Sequence, residues 1–402
     1  MHRLVQMVVK DEMSEDDLTF TLVNIIEVFI HAFPIVTTNE NRLLCRTYQG
    51  QIVEPLLQMK TICTSRSALI RMRVGEFLRH DGKYDDSEKL LSQAVENCTW
   101  VLGTENLDTL TAMHNLALTY GAQGRNVDAA SIQEDVLEKE KRIMGEEHPR
   151  TLTAMHNLAL TYQAQGRNVD AASIQEDVLE KKKRILGDEH LDTLATMDSL
   201  AITYQAQGRN ADAACLQEDV LEKQKRILGG EHPSNLGAMN NLAWTYLAQH
   251  KKADAATIQE EVLEKQKRIM GEEHPRTLTA MNNLALTYQA QGRNADAAGI
   301  QEDVLEKQKR ILGGEHPRTL TAMHNLALTY QAQGRYVDAA SIQEDVLEKQ
   351  KRILGDEHPH RLTTMHSLAL TYQAQGRNAD AASIQEEGLE KQKRILGDEH
   401  PC

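Results

Sequence analysis

Residues 149–190 read PRTLTAMHNLALTYQAQGRNVDAASIQEDVLEKKKRILGDEH. Slid along itself by 42 positions, the sequence lands on near copies of this stretch. A Gly-Arg pair marks the register at Gly124, Gly166, Gly208, Gly292, Gly334 and Gly376. Gly82-Lys83 fits the same count one step earlier, and His250-Lys251 fills the slot that lacks glycine. Eight units therefore run from about Thr64 to the C-terminus. A fixed period of this size is the mark of a stacked repeat architecture.

Each unit contains two helical segments. In the first, Leu152, Met155, Leu158, Ala159 and Tyr162 recur at three- and four-residue spacing, an apolar stripe of helical period. Ala164-Gln165-Gly166-Arg167 breaks the helix, with Gly166 suited to a left-handed residue after the last turn. Asn168 is expected to cap the second helix, and Asp170 to sit in its first turn. That helix carries Ala171, Ala172, Ile174, Val178, Leu179, Ile185 and Leu186, and ends at Gly187 after a run of cations. Most linkers read Gly-x-Glu-His-Pro, with proline opening the next helix. One hairpin alone cannot bury its stripe, whereas stacked neighbours can.

Met155, Leu158, Ala159, Tyr162 and Ala171 resemble the signature of the tetratricopeptide repeat, and unit one adds Val74 and Gly75. Two features depart from that pattern. Polar Gln175, beside Ile174, stands where the family has an aromatic residue, and the proline comes eight residues late, lengthening the second helix. A 42-residue unit with Asn-Leu-Ala, Gln-Gly-Arg and Leu-Gly-x-Glu-His-Pro is similar to the kinesin-light-chain subtype. The resemblance implies an all-α fold, a right-handed α-solenoid of eight helical hairpins over residues 65–402 behind a helical segment, 1–64.

Leu18–Phe33 and Asn41–Leu57 read as helices of that leading segment, without sustained heptads. Kinesin light chains place a long coiled coil before their repeats, and residues 1–64 offer no room for one. The order His2-Arg3-Leu4-Val5-Gln6, a helix ending in Ala32-Phe33-Pro34, a second helix bearing Cys45, and then Gly82-Lys83-Tyr84 resembles another junction. It is that between the nucleotide-binding part and the repeats of fungal NB-ARC/NACHT proteins, the NLR-like STAND receptors. On that resemblance Met1 starts inside a module, so the chain reads as truncated or as a copy that lost its switch domain. No Gly-x-x-x-x-Gly-Lys-Ser/Thr phosphate loop occurs.

A net charge of −14, with no basic face interleaved with aromatics, argues against nucleic-acid binding. The cationic run closing each second helix reads as dipole complementation plus i,i+4 pairs such as Glu180 with Arg184. Five scattered cysteines (45, 63, 98, 215 and 402) lack metal spacing and indicate a reducing, cytoplasmic setting. Leu22–Pro34 is too short to span a bilayer, so no membrane association is expected. The linker histidines (148, 190, 232, 274, 316, 358 and 400) recur once per unit and read as caps or loop residues, not metal ligands. No nucleophile has a base at a telling spacing, and neither cofactor nor catalysis is expected.

In tetratricopeptide arrays the first helices line a concave groove that holds a protein or an extended peptide. By resemblance, Thr153, His156, Asn157, Leu160, Gln163 and Ala164 face it in unit three. Asn115, Asn157, Asn241, Asn283 and Asn325 share the position that family members use to hold a peptide backbone, since an amide both donates and accepts. The other reading is that they brace neighbouring helices. Asp198 replaces His or Asn in unit four, and unit five carries Trp244 and Leu247 where most units have leucine and glutamine. Trp244 is either an interface anchor over units four to six or a filler in a drifting repeat. With no cap after the last linker, fraying, self-association through the final repeat or truncation is expected. The resulting expectation is a non-catalytic interaction array of an NLR-like STAND protein or a detached copy. The alternative is a kinesin-light-chain-like cargo adaptor.

Overall fold

A computed structural model describes residues 14–34, 39–59, 63–354 and 359–396. Among them every regular element is an α-helix. The His2–Gln6 stretch, the linker residues His358 and His400, and the C-terminal end lie outside the described residues. Helices occupy Glu15–Ala32 and Asn39–Gln58, close to the two expected from the sequence. From Ser65 onward, 16-residue first helices alternate with 19-residue second helices, as in Pro149–Ala164 and Asn168–Leu186. Consecutive helices pack as hairpins, which makes the fold an all-α solenoid of tetratricopeptide type.

The described linker histidines, His148, His190, His232, His274 and His316, cap the first helices. Nδ1 of His148 accepts a bond from the Arg150 amide at 3.2 Å, and Pro149 takes the first helical position, where its missing N–H costs nothing. At the other end Gly166 adopts φ 75°, which lets Arg167 N donate to Tyr162 O and Gly166 N to Gln163 O, both at 2.9 Å. Unit five makes the same turn with His250 at φ 62°, the one described non-glycine residue in this region.

Asn168 does not cap the second helix. It is the first helical residue, and the preceding Arg167 forms no side-chain cap bond. The Asn168 carbonyl instead accepts from Gln207 Nε2 of the next unit at 2.6 Å, while Arg167 Nε pairs with Asp170 at 2.8 Å. Ile185 and Leu186, read as part of the apolar stripe, are exposed. Arg184 reaches Glu147 in the preceding linker.

The core runs through the units. Ala130 and Leu137 of unit two cluster with Leu152, Met155, Leu158, Tyr162, Ala171 and Val178 of unit three. Burying such a Leu, Met or Val is worth about 1.5–3 kcal/mol each, and no hairpin bridges that gap alone. Small Ala171 and Ala172 are buried at the helix crossing, as the sequence implied. Gln175, the departure from the family pattern, is 0% exposed; its Oε1 accepts from Thr203 Oγ1 of the next unit at 2.5 Å. Tyr162 likewise donates to Glu134 of the unit before at 2.7 Å, and Gln165 Nε2 to the Asn126 carbonyl at 2.6 Å.

One junction position varies in charge. Glu140 of unit two lies 3.4 Å from Arg150 of unit three. One repeat later Lys182 donates to the Asp192 carbonyl at 3.3 Å and to Thr196 Oγ1 at 2.9 Å. The glutamate–arginine order has become lysine–aspartate.

The leading helices pack on unit one. Ile26, Phe33, Cys45, Ile52 and Leu56 share a cluster with Ile70, Val74, Phe77 and Leu78, and the Phe33 and Phe77 rings meet edge-on at 5.4 Å. Arg71, on the same unit-one helix, is fully buried. Its Nη2 donates to the carbonyl of Met59 at 2.6 Å, and its Nε to Gln93 Oε1 at 3.0 Å. Met59 directly follows the helix Asn39–Gln58, so the guanidinium meets the negative end of its dipole. The chain forms two compact bodies, one up to Gly208 and one from Arg209, a boundary inside unit four.

Candidate functional site on the first helices

The first helices leave one face unburied. In unit three Thr153, Leu160 and Ala164 are exposed, and His156, Asn157 and Gln163 are half-buried. This is the set expected to line a groove. Its spacing of three and four residues follows from the helical period, because Leu152, Met155, Leu158 and Ala159 take the opposite side.

The asparagines sit half-buried on that face, at 115, 157, 241, 283 and 325 alike. Asn157 is already engaged: its Nδ2 lies 3.2 Å from Nε2 of His114 in the preceding unit. The amide therefore braces two first helices and still has a carbonyl oxygen to offer. Burial, with the guanidinium groups of Arg150 and Arg79 nearby, holds His114 below the ordinary histidine value of 6.5 and thus neutral, as an acceptor must be. Asp198 lies half-buried in the first body, whereas Asn241, Trp244 and Leu247 lie in the second.

Trp244 is 36% exposed, one turn after the half-buried Asn240 and beside Asn241. The helix that carries it departs from the common pattern at several positions. Against unit six, Ser234 replaces Arg276, Asn235 replaces Thr277, Gly237 replaces Thr279 and Leu247 replaces Gln289. Its Tyr246 is pushed up to about 12 by burial and by the bond to Glu218, with Lys251 at 5.0 Å where other units stack arginine on the ring at 3.7–4.0 Å. Sequence reading found Trp244, Leu247 and the His250-Lys251 pair but missed Ser234 and Gly237. They remove atoms, and their effect shows only as space.

That space is a cleft of about 420 Å³ lined by Ser234, Gly237, Asn240, Gln266, Met270 and Arg276 among others. The equivalent cleft between units six and seven measures about 30 Å³. Among the described residues no group of three or more His, Cys, Asp or Glu side chains is placed to hold a metal ion. No described helix is long and apolar enough to cross a membrane.

Stacked helical hairpins joined through side chains of successive units define an α-solenoid repeat protein. The Tetratricopeptide repeat family model matches residues 66–139, 150–226, 276–351 and 327–394, and a second model of the same description matches 236–276. The chain belongs to the tetratricopeptide repeat family, whose fold is typically a non-catalytic scaffold.

Among solved structures, a Podosopora anserina protein described as kinesin light chain nearly identical TPR-like repeats is 35% identical. It covers 52% of this chain and all of its own, with a TM-score of 0.48. The quorum sensor NprR from B. thuringiensis is 14% identical over 94% of this chain and all of its own, TM-score 0.59. A STAND protein with a tetratricopeptide repeat sensor from Pyrococcus horikoshii is 13% identical over 99% of this chain and 56% of its own, TM-score 0.55. These last two likenesses are of fold. No curated protein matches the sequence.

Proposed function

We propose that the chain is a non-catalytic interaction scaffold whose first helices hold a protein or an extended peptide, with Trp244 as its principal anchor. The observation that carries this reading is a tryptophan 36% exposed, on the face where units two to four and six to eight present leucine or isoleucine. A large apolar ring on such a face is the residue type whose truncation most often weakens an interface, by about 2 kcal/mol or more. Asn241 beside it and Asn283 on the next first helix supply amides of the kind that hold a backbone without reading its sequence.

The array further reads as the recognition part of an NLR-like STAND protein, or a detached copy, in the cytoplasm. That assignment rests on the sequence order through Phe33-Pro34, Cys45 and Gly82-Lys83-Tyr84.

The test is affinity capture from a lysate of the source organism, with wild type beside a Trp244→Ala, Asn283→Ala variant and partners identified by mass spectrometry. The expected result is loss of the main partner with the variant, and recovery of signalling proteins with it. Capture of every partner by both proteins overturns the groove. Recovery of kinesin heavy chain overturns the STAND assignment in favour of a cargo adaptor.

A further inference from the structure

The cleft in unit five is built from losses. Most units carry threonine at the position of Gly237, among them Thr153, Thr279 and Thr321, whose hydroxyls donate to the carbonyl four residues back. Glycine inside a helix destabilises it, and the usual excuse is a close approach by a neighbour. None exists here, because a Cβ on Gly237 would meet nothing within 4 Å. Gly121 and Gly299 are equally unconstrained helix glycines, but of the three only Gly237 lines a cleft.

The groups around this space lack partners. In units two and three the corresponding arginine, Arg150, is held by Thr111 Oγ1 at 2.9 Å and by Glu140 at 3.4 Å. Three units on, those anchors are Gly237 and Gln266, and Arg276 makes no side-chain hydrogen bond or ion pair among the described residues. Gln266 is 6% exposed, and its Oε1 is buried with no partner. Oδ1 of Asn240 is in the same state, its amide nitrogen being committed to the Leu236 carbonyl at 3.1 Å. Units six and seven supply a control: Gln308 Oε1 is orphaned there too, but with Thr279 present the space is only about 30 Å³. Between units seven and eight, Thr321 and an orphaned Gln350 Oε1 border a cleft of about 180 Å³, whereas the unit-five cleft, at about 420 Å³, falls within the roughly 300–1,000 Å³ of small-molecule sites.

We propose that this cleft is a binding site for α-amino-acid chemistry: a carboxylate next to N–H donors, with an apolar side chain. The guanidinium of Arg276 takes the carboxylate, for which its planar fork is suited. The two orphaned oxygens, Gln266 Oε1 and Asn240 Oδ1, can only accept, and so select a ligand that donates. Leu236, Met270 and Ala280 supply apolar wall for a side chain of leucine size. A free amino acid and the last residue of a chain share this chemistry. The site does not depend on Trp244 or on any protein partner.

The test uses the full chain and three probes in titration calorimetry: leucine, N-acetylleucine as a chain-end mimic, and leucinamide, which keeps the N–H groups but lacks the carboxylate. Leucine or N-acetylleucine is expected to bind saturably, and the tighter of the two identifies the source. Leucinamide is expected to bind at least about tenfold more weakly, the worth of a charge-assisted bond. Arg276→Gln should weaken the acidic probes by a similar factor. Gly237→Thr, which restores the residue the array uses elsewhere, should abolish binding while leaving the circular dichroism spectrum of the protein unchanged.

Absence of saturable binding by both acidic probes overturns the site, as does equal binding of leucinamide or undiminished binding by the folded Gly237→Thr protein. Because Gly237→Thr leaves Trp244 in place, loss of the small ligand with retention of the protein partner separates this site from the groove.

Discussion

Thr245 Oγ1 donates to Gln217 Oε1 at 2.6 Å, joining consecutive units through two buried side chains. The pair is unequal. Thr245 Oγ1 also lies 3.2 Å from the Asn241 carbonyl, whereas Gln217 Nε2 is buried with no partner. Removing the hydroxyl strands both ends of a buried amide, while removing the amide strands nothing. Thr245→Val should therefore cost about 1–3 kcal/mol, and Gln217→Met should be near neutral. Adding Gln217→Met to Thr245→Val should recover most of the loss. Denaturant unfolding of the three variants checks this.

His250 occupies the left-handed turn position where the array otherwise places glycine. A Cβ there costs about 1–2 kcal/mol. His250→Gly should stabilise the turn by about 1 kcal/mol. Slower amide exchange at the ends of Pro233–Ala248 and Lys252–Met270 would register it.

His114 and His156 are both held below 6.5, first by burial and then by neighbouring cations: Arg150 and Arg79 for His114, Lys182 for His156. The folded chain keeps them neutral, whereas the unfolded chain protonates them near 6.5. As pH falls below that value the unfolded state takes up protons that the folded state refuses, so stability declines; above it the contribution is fully present. Thermal unfolding temperatures should fall between about pH 7 and 5.5. A His114→Gln, His156→Gln variant should flatten that slope.

Arg71 is a buried cation held by a helix-end carbonyl and a glutamine rather than by a carboxylate. Arg71→Ala leaves the Met59 carbonyl without its donor and opens a void at a fully buried position. The expected cost is about 3 kcal/mol or more. It should appear first as faster exchange in Asn39–Gln58, since that helix end is what the guanidinium holds.

The repeat period, the helix pairs and the unburied face of the first helices were legible because each rests on a spacing that recurs. Proline and histidine in Glu-His-Pro announced the helix starts, and Gly166 the turn. What was not legible depends on partners a whole unit away. Gln175 looks like a failed core residue until Thr203 is seen above it. Asn168 has the composition of a cap, yet Arg167 takes that place because the turn is closed by its own backbone N–H on Tyr162 O. Arg71 has the look of a surface residue in its local sequence, and only the helix folded over it shows otherwise. The unit-five cleft was hidden for a simpler reason: Ser234 and Gly237 announce nothing by what they are, only by what they leave out.

The ladder of bonds between units has a consequence for how the array can change length. Tyr288 to Glu260 and Tyr330 to Glu302 are the same bond drawn at one fixed offset, as are Gln291 to the Lys252 carbonyl and Gln333 to that of Asn294. Excising 42 residues inside the second body would bring together ends that already know how to meet, so copy number can drift there with little penalty. At Glu140–Arg150 and Lys182–Asp192 it cannot. Removing the unit between those two pairs would set the buried Glu140 carboxylate where Lys182 now donates to the Asp192 carbonyl and Thr196, acceptor facing acceptor. Those two junctions fix the order of the units around them, and later copies with glutamine in place of the charged residue have given that address up.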